Sequence, residues 1–431
     1  MKKVLLVSLG CAKNLVDSEH ILGILKYDDY EITNSLDEAD IVVINTCGFI
    51  ESSKRESIEE IFKYISKGKK VVVTGCLVER YKEELEKEIP EVELFIPIRE
   101  YHQFNEKLSL IDENIKKKEL IGLNDENRII STPSYSAYLL IGDGCDNRCT
   151  YCAIPLIRGS YKSRPLNDIV NEAKKLAQNG VKELIILEQD TTKYGIDLDK
   201  DINIVTLLKS LLEIKGIEYI RLLYLYPDEI SDELIDLIVK EKRLTPYFDI
   251  PIQHSESHIL KAMHRRGDKE FLRALFKKIK DRVPNAILRT TLLVGFPNEK
   301  EEDIDNLIAF MKEIKFDHVG AFTYSKEEGT PSFDYPNQVD EETKQNRLKR
   351  VMSAARKISY QQNKLHIGEI MEGLVVGYDG ENYLLRSYFN APDDVDGKIY
   401  FTSKCKLKMG EKVKVKINDA FIYDLVGEEI R

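Results

Sequence analysis

At 431 residues the chain exceeds what one hydrophobic core ordinarily organises, so two or three domains of about 100 to 200 residues are expected. With 42% hydrophobic and 32% charged residues it has the balance of a water-soluble globular protein, and no apolar run approaches the ~20 residues that a bilayer crossing needs. A formal charge of −10 excludes a surface made throughout for nucleic acid and makes a basic partner electrostatically easier.

The chain opens on Met1-Lys-Lys-Val-Leu-Leu-Val-Ser-Leu-Gly-Cys11, superficially the layout of a lipoprotein signal. Its apolar run is too short for a secretory leader and a charged helical pattern follows, so a buried strand is the better reading. Seven cysteines without such a leader point to a reducing compartment, the cytoplasm, where grouped thiols serve metals or catalysis.

Up to about residue 125, β-branched runs alternate with helical patterns: strands over 4–8, 41–45 and 71–74, helices over 14–26, 52–66 and 79–88. Near-continuous apolar strands between helices predict a parallel sheet covered on both faces, and so an N-terminal α/β domain over 1–125. Cys11, Cys47 and Cys76 each stand just beyond a predicted strand. Open α/β sheets bind ligands outside the carboxyl ends of their strands, so this topology would bring three dispersed thiols to one edge. The competing reading is three small buried hydrophobes.

The polar stretch 124–135 reads as a linker. Six strand-like runs follow, over 137–141, 183–187, 219–224, 247–252, 287–294 and 318–323, alternating with helices; they predict a central six-unit partial barrel over 135–335, short of the eight units that close one. Asn167 after Pro165 is placed to cap the first helix and Asn179-Gly180 to end it. The loop after the first of these strands is Cys145-Asp-Asn-Arg-Cys149-Thr-Tyr-Cys152. Three soft thiolates on one short loop call for iron or zinc. Zinc would want a fourth ligand nearby, and no His or Cys lies within the next turn. Iron-sulfur clusters are ordinarily held by four cysteines, so a set of three leaves one iron open to a substrate or cofactor.

Residues 336–367 form a basic helical connector, read as a solvated helix over 341–365. Beyond Gly368, alternating runs over 373–378, 383–387, 398–402 and 412–417 predict a small all-β barrel or sandwich over 368–431. Cys405 lies there alone and reads as a bystander.

The CxxxCxxC loop after the first strand of a six-unit partial barrel resembles the radical S-adenosylmethionine (SAM) enzymes. That resemblance implies a 4Fe-4S cluster on Cys145, Cys149 and Cys152 whose open iron chelates SAM, with one-electron cleavage to methionine and a 5'-deoxyadenosyl radical. Tyr151 resembles the aromatic that contacts adenine in that superfamily. Glu188, Gln189 and Asp190 after the second strand, and Gln253 and His254 after the fourth, correspond by position to cofactor contacts; so does Val294-Gly-Phe-Pro297 after the fifth. Each also has a plain structural reading, as loop packing, a helix-start carboxylate, a satisfied histidine or a turn.

Ser8-Leu-Gly-Cys11-Ala-Lys-Asn14, Asn45-Thr-Cys47-Gly and Thr74-Gly-Cys76 are similar to the N-terminal domain of the methylthiotransferases, a radical SAM branch with a second cluster. The resemblance then covers nearly the whole chain and implies an auxiliary 4Fe-4S cluster on Cys11, Cys47 and Cys76. It implies one SAM as methyl donor, a second as radical source, and an electron donor such as flavodoxin or ferredoxin. Two branches share this chemistry, one acting on the β-carbon of an aspartate in ribosomal protein S twelve, the other on an adenosine of transfer RNA. Gly10-Cys11-Ala-Lys-Asn, Cys47-Gly-Phe-Ile50, Cys152-Ala-Ile-Pro-Leu-Ile-Arg158-Gly and Glu188-Gln-Asp-Thr-Thr-Lys-Tyr-Gly195 resemble the ribosomal-protein branch, with its substrate free or within the small subunit. A cluster-bearing electron carrier and a non-catalytic ribosome-binding protein are the alternatives of other classes.

The C-terminal module resembles the TRAM domain. Its twelve acidic side chains exceed its nine Lys and Arg, and the run Ala391-Pro-Asp393-Asp394-Val-Asp396-Gly397 would suit a basic protein rather than RNA. Against that stand Lys404, Lys406, Lys408, Lys412, Lys414 and Lys416, which alternate with apolar residues and could line one strand face.

Overall fold

A computed structural model describes residues 2–111, 127–392 and 395–430. Residues 124–126 of the expected linker, and Asp393 and Asp394 of the acidic run, lie outside the described residues.

The first unit is a five-stranded parallel sheet in the order β2-β1-β3-β4-β5, formed by β1 (Lys3–Ser8), β2 (Glu31–Ile32), β3 (Ile41–Thr46), β4 (Lys70–Gly75) and β5 (Leu94–Ile96). The two short strands carry too few residues to announce themselves in the sequence. Helices α1 (Ala12–Tyr27), α2 (Glu51–Ser66), α3 (Cys76–Glu88) and α4 (Phe104–Leu108) cover the sheet. β3 is buried along its whole length, which is why it reads as an unbroken apolar run rather than an alternation.

Helix α1 departs from the usual amphipathic pattern because both of its faces are covered. Ile21, Ile24 and Leu25 pack into the N-terminal core with Val4, Ile41 and Phe104. Val16 packs on the other side with Tyr138, Leu140, Ile185 and Leu187, inside the second unit. Arg128 fastens the arrangement by reaching from Glu19 of α1 (2.6 Å) to Glu172 (2.5 Å).

That second unit is the partial barrel. β6 (Ser136–Leu140) leads to a two-stranded ribbon, β7 (Gly142–Asp143) and β8 (Lys162–Ser163), that brackets the cysteine loop and α5 (Ile154–Arg158). Helix α6 (Leu166–Gln178) then alternates onward through β9 (Glu183–Leu187), α7 (Ile204–Leu212), β10 (Tyr219–Leu222), α8 (Asp232–Lys240) and β11 (Tyr247–Asp249). After α9 (Ser257–Ala262) and α10 (Lys269–Arg282) come β12 (Ile287–Val294), α11 (Glu301–Ile314) and β13 (His318–Thr323). The strands pair in parallel as β6-β9-β10 and β11-β12-β13, with the bridge Ile220 to Leu244 spanning the seam. Asn167 does not cap α6: Pro165 holds the cap position and Asn167 sits inside the first turn, while Asn179 ends the helix as expected. Proline's fixed φ suits a helix start without a side-chain cap.

The connector is helix α12 (Glu341–Asn363), and it is not a freely solvated one. Val351, Ala354, Ala355 and Ile358 join the core formed by the barrel's covering helices. Several of its cations are engaged: buried Arg347 pairs with Glu299 (2.9 Å) and Glu301 (2.7 Å), and Arg350 pairs with Glu301 (2.6 Å).

A closed five-stranded barrel follows, β14 (Ile370–Tyr378), β15 (Tyr383–Ser387), β16 (Ile399–Thr402), β17 (Lys412–Ala420) and β18 (Leu425–Ile430). It docks at the amino ends of the partial-barrel strands. Tyr247 Oη donates to Asp396 (2.5 Å), the Arg221 guanidinium donates to Ser387 O (2.6 Å), and His318 Nε2 lies 2.8 Å from Phe389 O. Asp396 is therefore spent inside the molecule, 1% exposed at its side chain, and does not belong to an acidic surface that awaits a basic partner.

Candidate active site

Cys11 caps α1, Cys47 directly follows β3 and Cys76 is the first residue of α3, so three neighbouring strand ends carry the first triad. A glycine precedes two of them for a steric reason. At Gly10 (φ +89°) an added Cβ would stand 2.8 Å from the Cβ of Cys47, and at Gly75 (φ +97°) it would stand 2.3 Å from Asn45 Oδ1. No other residue combines that backbone with that proximity. Asn14 binds the loops together, donating from Nδ2 to Leu9 O (3.0 Å) and Thr46 O (3.1 Å) and accepting at Oδ1 from the Cys76 thiol (3.3 Å).

Burial pushes the Cys76 thiol up to about 12; Arg158 pulls against this, while charge on Cys11 or Cys47 adds to it. Burial likewise raises Cys47. Cys47 and Cys76 are buried and Cys11 lies at the surface beside them; thiolates grouped in this way repel one another and are stable only around a positive centre, which is the condition a metal cluster supplies. The donor set fits such a group.

The second triad lies beyond β6, at the carboxyl end of the partial barrel. Its loop is tied down from several sides: Thr150 N donates to Met263 O (3.0 Å), Thr150 Oγ1 to Ala262 O (2.8 Å), and Asn147 Nδ2 to Asp190 Oδ2 (2.7 Å). Burial pushes Cys145 up to about 11 and raises Cys152, with charge on Cys149 adding to both. Arg148, Tyr224, Gln253 and His264 hold left-handed backbone here, with φ between +50° and +68°. Non-glycine residues in that region cost ~1 kcal/mol or more each and collect where a ligand fixes the backbone. Among the described residues no three His, Cys, Asp or Glu side chains converge on a point suited to a single metal ion. In a 4Fe-4S cluster each cysteine meets a different iron.

The remaining strand-end residues do not form one constellation. Glu188 and Gln189 are held by Lys13, whose Nζ lies 3.4 Å from Glu188 Oε2 and 2.8 Å from Gln189 Oε1. Asp190 accepts from Asn147 and Thr192 and so orients the cysteine loop. Tyr151 packs against Ile259, Met263, Phe296 and Tyr324. Half-buried Gln253 is pinned by its backbone, with N donating to Thr291 O (2.9 Å) and O accepting from Leu293 N (2.7 Å). His254 is fully buried; Nδ1 accepts from Glu256 N (3.0 Å), while Nε2 lacks a hydrogen-bond partner, with Glu299 Oε2 at 3.6 Å. In the turn 294–297, Gly295 N donates to Glu299 Oε1 (2.8 Å), which Arg347 also holds.

Several residues that matter for the site were not singled out in the sequence. Lys13, two residues past Cys11, crosses into the partial barrel and pairs with Asp143 (2.7 Å). In the opposite direction Arg158 crosses into the N-terminal unit and pairs with Asp17 (2.6 Å). On the far side, Glu327, beyond β13, receives Arg80 (2.8 Å) and Lys54 (3.1 Å), and Arg80 also donates to Gly48 O (2.7 Å) beside Cys47. Lys13 and Arg158 sit within the cysteine motifs, and this adjacency was the one signal available.

Comparison with known proteins agrees with this layout. Residues 3–97 match the uncharacterized protein family UPF0004, residues 139–311 the radical SAM superfamily and residues 367–430 the TRAM domain. Among solved structures, the radical SAM methyltransferase TsrM from Kitasatospora setae, with cobalamin and a 4Fe-4S cluster bound, is similar in fold, with a TM-score of 0.57 at 14% identity over 88% of this chain and 82% of that one. A ribosomal protein uS12 methylthiotransferase RimO from Caldicellulosiruptor saccharolyticus is 46% identical over the full length of both chains. The RimO of Aquifex aeolicus is 46% identical over 99% of this chain and 97% of its own, and that of Clostridioides difficile 44% identical over 99% of each. With such identity along its whole length, the chain belongs to the RimO family of ribosomal protein uS12 methylthiotransferases.

Proposed function

We propose that this protein adds a methylthio group to the β-carbon of an aspartate in ribosomal protein uS12, with an auxiliary 4Fe-4S cluster on Cys11, Cys47 and Cys76 and a radical-generating 4Fe-4S cluster on Cys145, Cys149 and Cys152. The observation that carries this reading is the placement of two three-thiol sets at the carboxyl edges of two adjoining parallel sheets, with α1 beginning at a member of one set and packing inside the barrel that holds the other. When bound, the clusters and two molecules of SAM supply the radical, the methyl group and the site of sulfur attachment.

The chain's own residues place and shield that chemistry. Asp190 and Thr150 fix the cysteine loop, and Tyr151, Glu188, Gln189, Gln253 and His254 are the remaining groups proposed to meet SAM. Buried His254 supports this assignment: its Nε2 makes no hydrogen bond, with Glu299 Oε2 3.6 Å away, and such an atom is costly unless a ligand engages it. The reductant is a donor of the flavodoxin or ferredoxin kind, and the cytoplasm is the compartment that suits the substrate. Among the described residues no helix is long and apolar enough to cross a membrane.

The C-terminal lysines do not favour an RNA substrate. Lys414 lies opposite Glu372 and Lys416 opposite Glu428 across the strands, and Lys412 pairs with Glu372 (2.7 Å). These acids offset part of the charge on β17, and with twelve acidic side chains against nine Lys and Arg the module has the opposite balance to the one that displaces counterions from a phosphate backbone.

The test compares mass spectra of uS12 and of transfer-RNA nucleosides from cells with and without the gene. Loss of the methylthio group from uS12 is expected; its loss from the nucleosides alone would overturn the assignment. Reconstituted protein should carry about eight irons, and replacing the three N-terminal cysteines with alanine should remove about half.

A further inference from the structure

Each triad has one sulfur in contact with a buried guanidinium, and the central barrel supplies both. Arg158, at the end of α5, has Nη2 3.8 Å from Cys76 Sγ and 2.9 Å from Asn14 Oδ1. Arg265, beyond α9, has Nη1 3.8 Å from Cys149 Sγ, lies 4.2 Å over the ring of Tyr226 and donates to Pro251 O. Both side chains are shielded from solvent. Their surroundings differ in one respect. Arg158 is offset by Asp17 at 2.6 Å, with Asp143 at 3.8 Å, whereas Arg265 has no ion pair among the described residues.

We propose that Arg158 and Arg265 are positioning residues that set the reduction potentials of the two centres separately, Arg158 that of the auxiliary centre and Arg265 that of the radical-generating centre. The inference rests on the two-cluster reading above. Reduction adds one electron from a low-potential one-electron donor to a centre already made negative by three thiolates; no bond breaks and no proton moves. A fixed cation at a ligand sulfur stabilises the more negative form, and burial keeps that interaction from being screened. Because Arg158 belongs to the barrel and Cys76 to the N-terminal unit, the auxiliary centre acquires this setting only when the two units are docked. Asp17 offsets part of the charge on Arg158, so Arg265 exerts the larger effect.

The experiment is a redox titration of the reconstituted full-length protein with dithionite, followed by electron paramagnetic resonance, with iron and sulfide measured per chain. The two triple-cysteine variants assign the signals. Arg158→Gln should move the auxiliary midpoint to more negative potential and leave the other in place; Arg265→Gln should do the converse by a larger amount. Asp17→Asn should move the auxiliary midpoint the opposite way, because it leaves Arg158 uncompensated. This variant decides the case for Arg158 should Arg158→Gln fail to hold iron, and Arg265→Met, equally uncharged, takes the place of Arg265→Gln should that variant fail. Midpoints unchanged in iron-replete variants, a common shift of both signals, or an unmoved auxiliary midpoint in Asp17→Asn would overturn the proposal. Wild-type protein that holds only one cluster would instead overturn the two-cluster reading.

Discussion

Burial of the Glu188 carboxyl at the end of β9 pushes its pKa up to about 7 from an ordinary 4.5, although Lys13 and the backbone N–H of Gln189 pull it down. Ionising Glu188 therefore costs more in the folded chain than in the unfolded one. Its contribution to stability is complete below about pH 4.5 and is lost as the pH rises through about 7. Relative to wild type, Glu188→Gln should gain stability across that window and keep a constant advantage of about 3 kcal/mol above it, since Lys13 retains Asp143 and Gln189. Apparent melting temperatures of both proteins from pH 4 to 8 test this; a difference that does not change with pH would mean that Glu188 titrates in the folded chain as it does in the unfolded one. At this scale the cysteines were legible, because scarcity and spacing mark them. Lys13, Arg158 and Arg265 were not, because a lone cation carries no record of what will be docked against it.

Among the elements, α1 and α12 depart most from their sequence patterns, and for related reasons. Helix α1 lacks a polar stripe because it is packed from two sides. Helix α12 reads as basic and solvated, yet it spends Arg347 on the buried carboxylate of Glu299, which in turn holds the backbone of Gly295 at the end of β12. Removing one partner of a buried pair leaves the other uncompensated, at a cost of about 3–5 kcal/mol. Arg347→Ala should accordingly lower the apparent melting temperature by several degrees, and Arg347→Lys by less. Equal melting temperatures for Arg347→Ala and wild type, measured calorimetrically, would show that Glu299 does not depend on α12. The strands were read more faithfully: β9, β12 and β13 fall where the sequence put them, the first two because they are largely buried apolar runs, and β13, mostly half-buried, because a helix ends just before it and a polar turn follows.

For the molecule as a whole, the C-terminal barrel closes the amino end of the partial barrel, leaving the carboxyl end to the N-terminal unit and the candidate site. Asp396 secures that closure. Burial would raise its pKa, but His318, Arg289, Tyr247 and the backbone N–H of Ala391 together hold it below the usual carboxylate range. Its stabilising effect is thus present above about pH 3.8 and is lost as the pH falls through the lowered value. Asp396→Ala should cost about 3–5 kcal/mol and make the segment after α12 the first site of limited proteolysis; a cleavage pattern like that of wild type would show that the apolar contacts alone hold the module. The amino-acid sequence by itself determined the three-part architecture, the two cysteine sets and their placement past strand ends, since periodicity and spacing are local properties of the chain. Only the tertiary structure decided that Asp396 is internal, that Glu188 answers to Lys13, and that each cysteine set faces a guanidinium from the barrel. Burial and pairing of a charge depend on which surfaces meet, and residues as distant in sequence as Cys76 and Arg158 become neighbours only when the units dock.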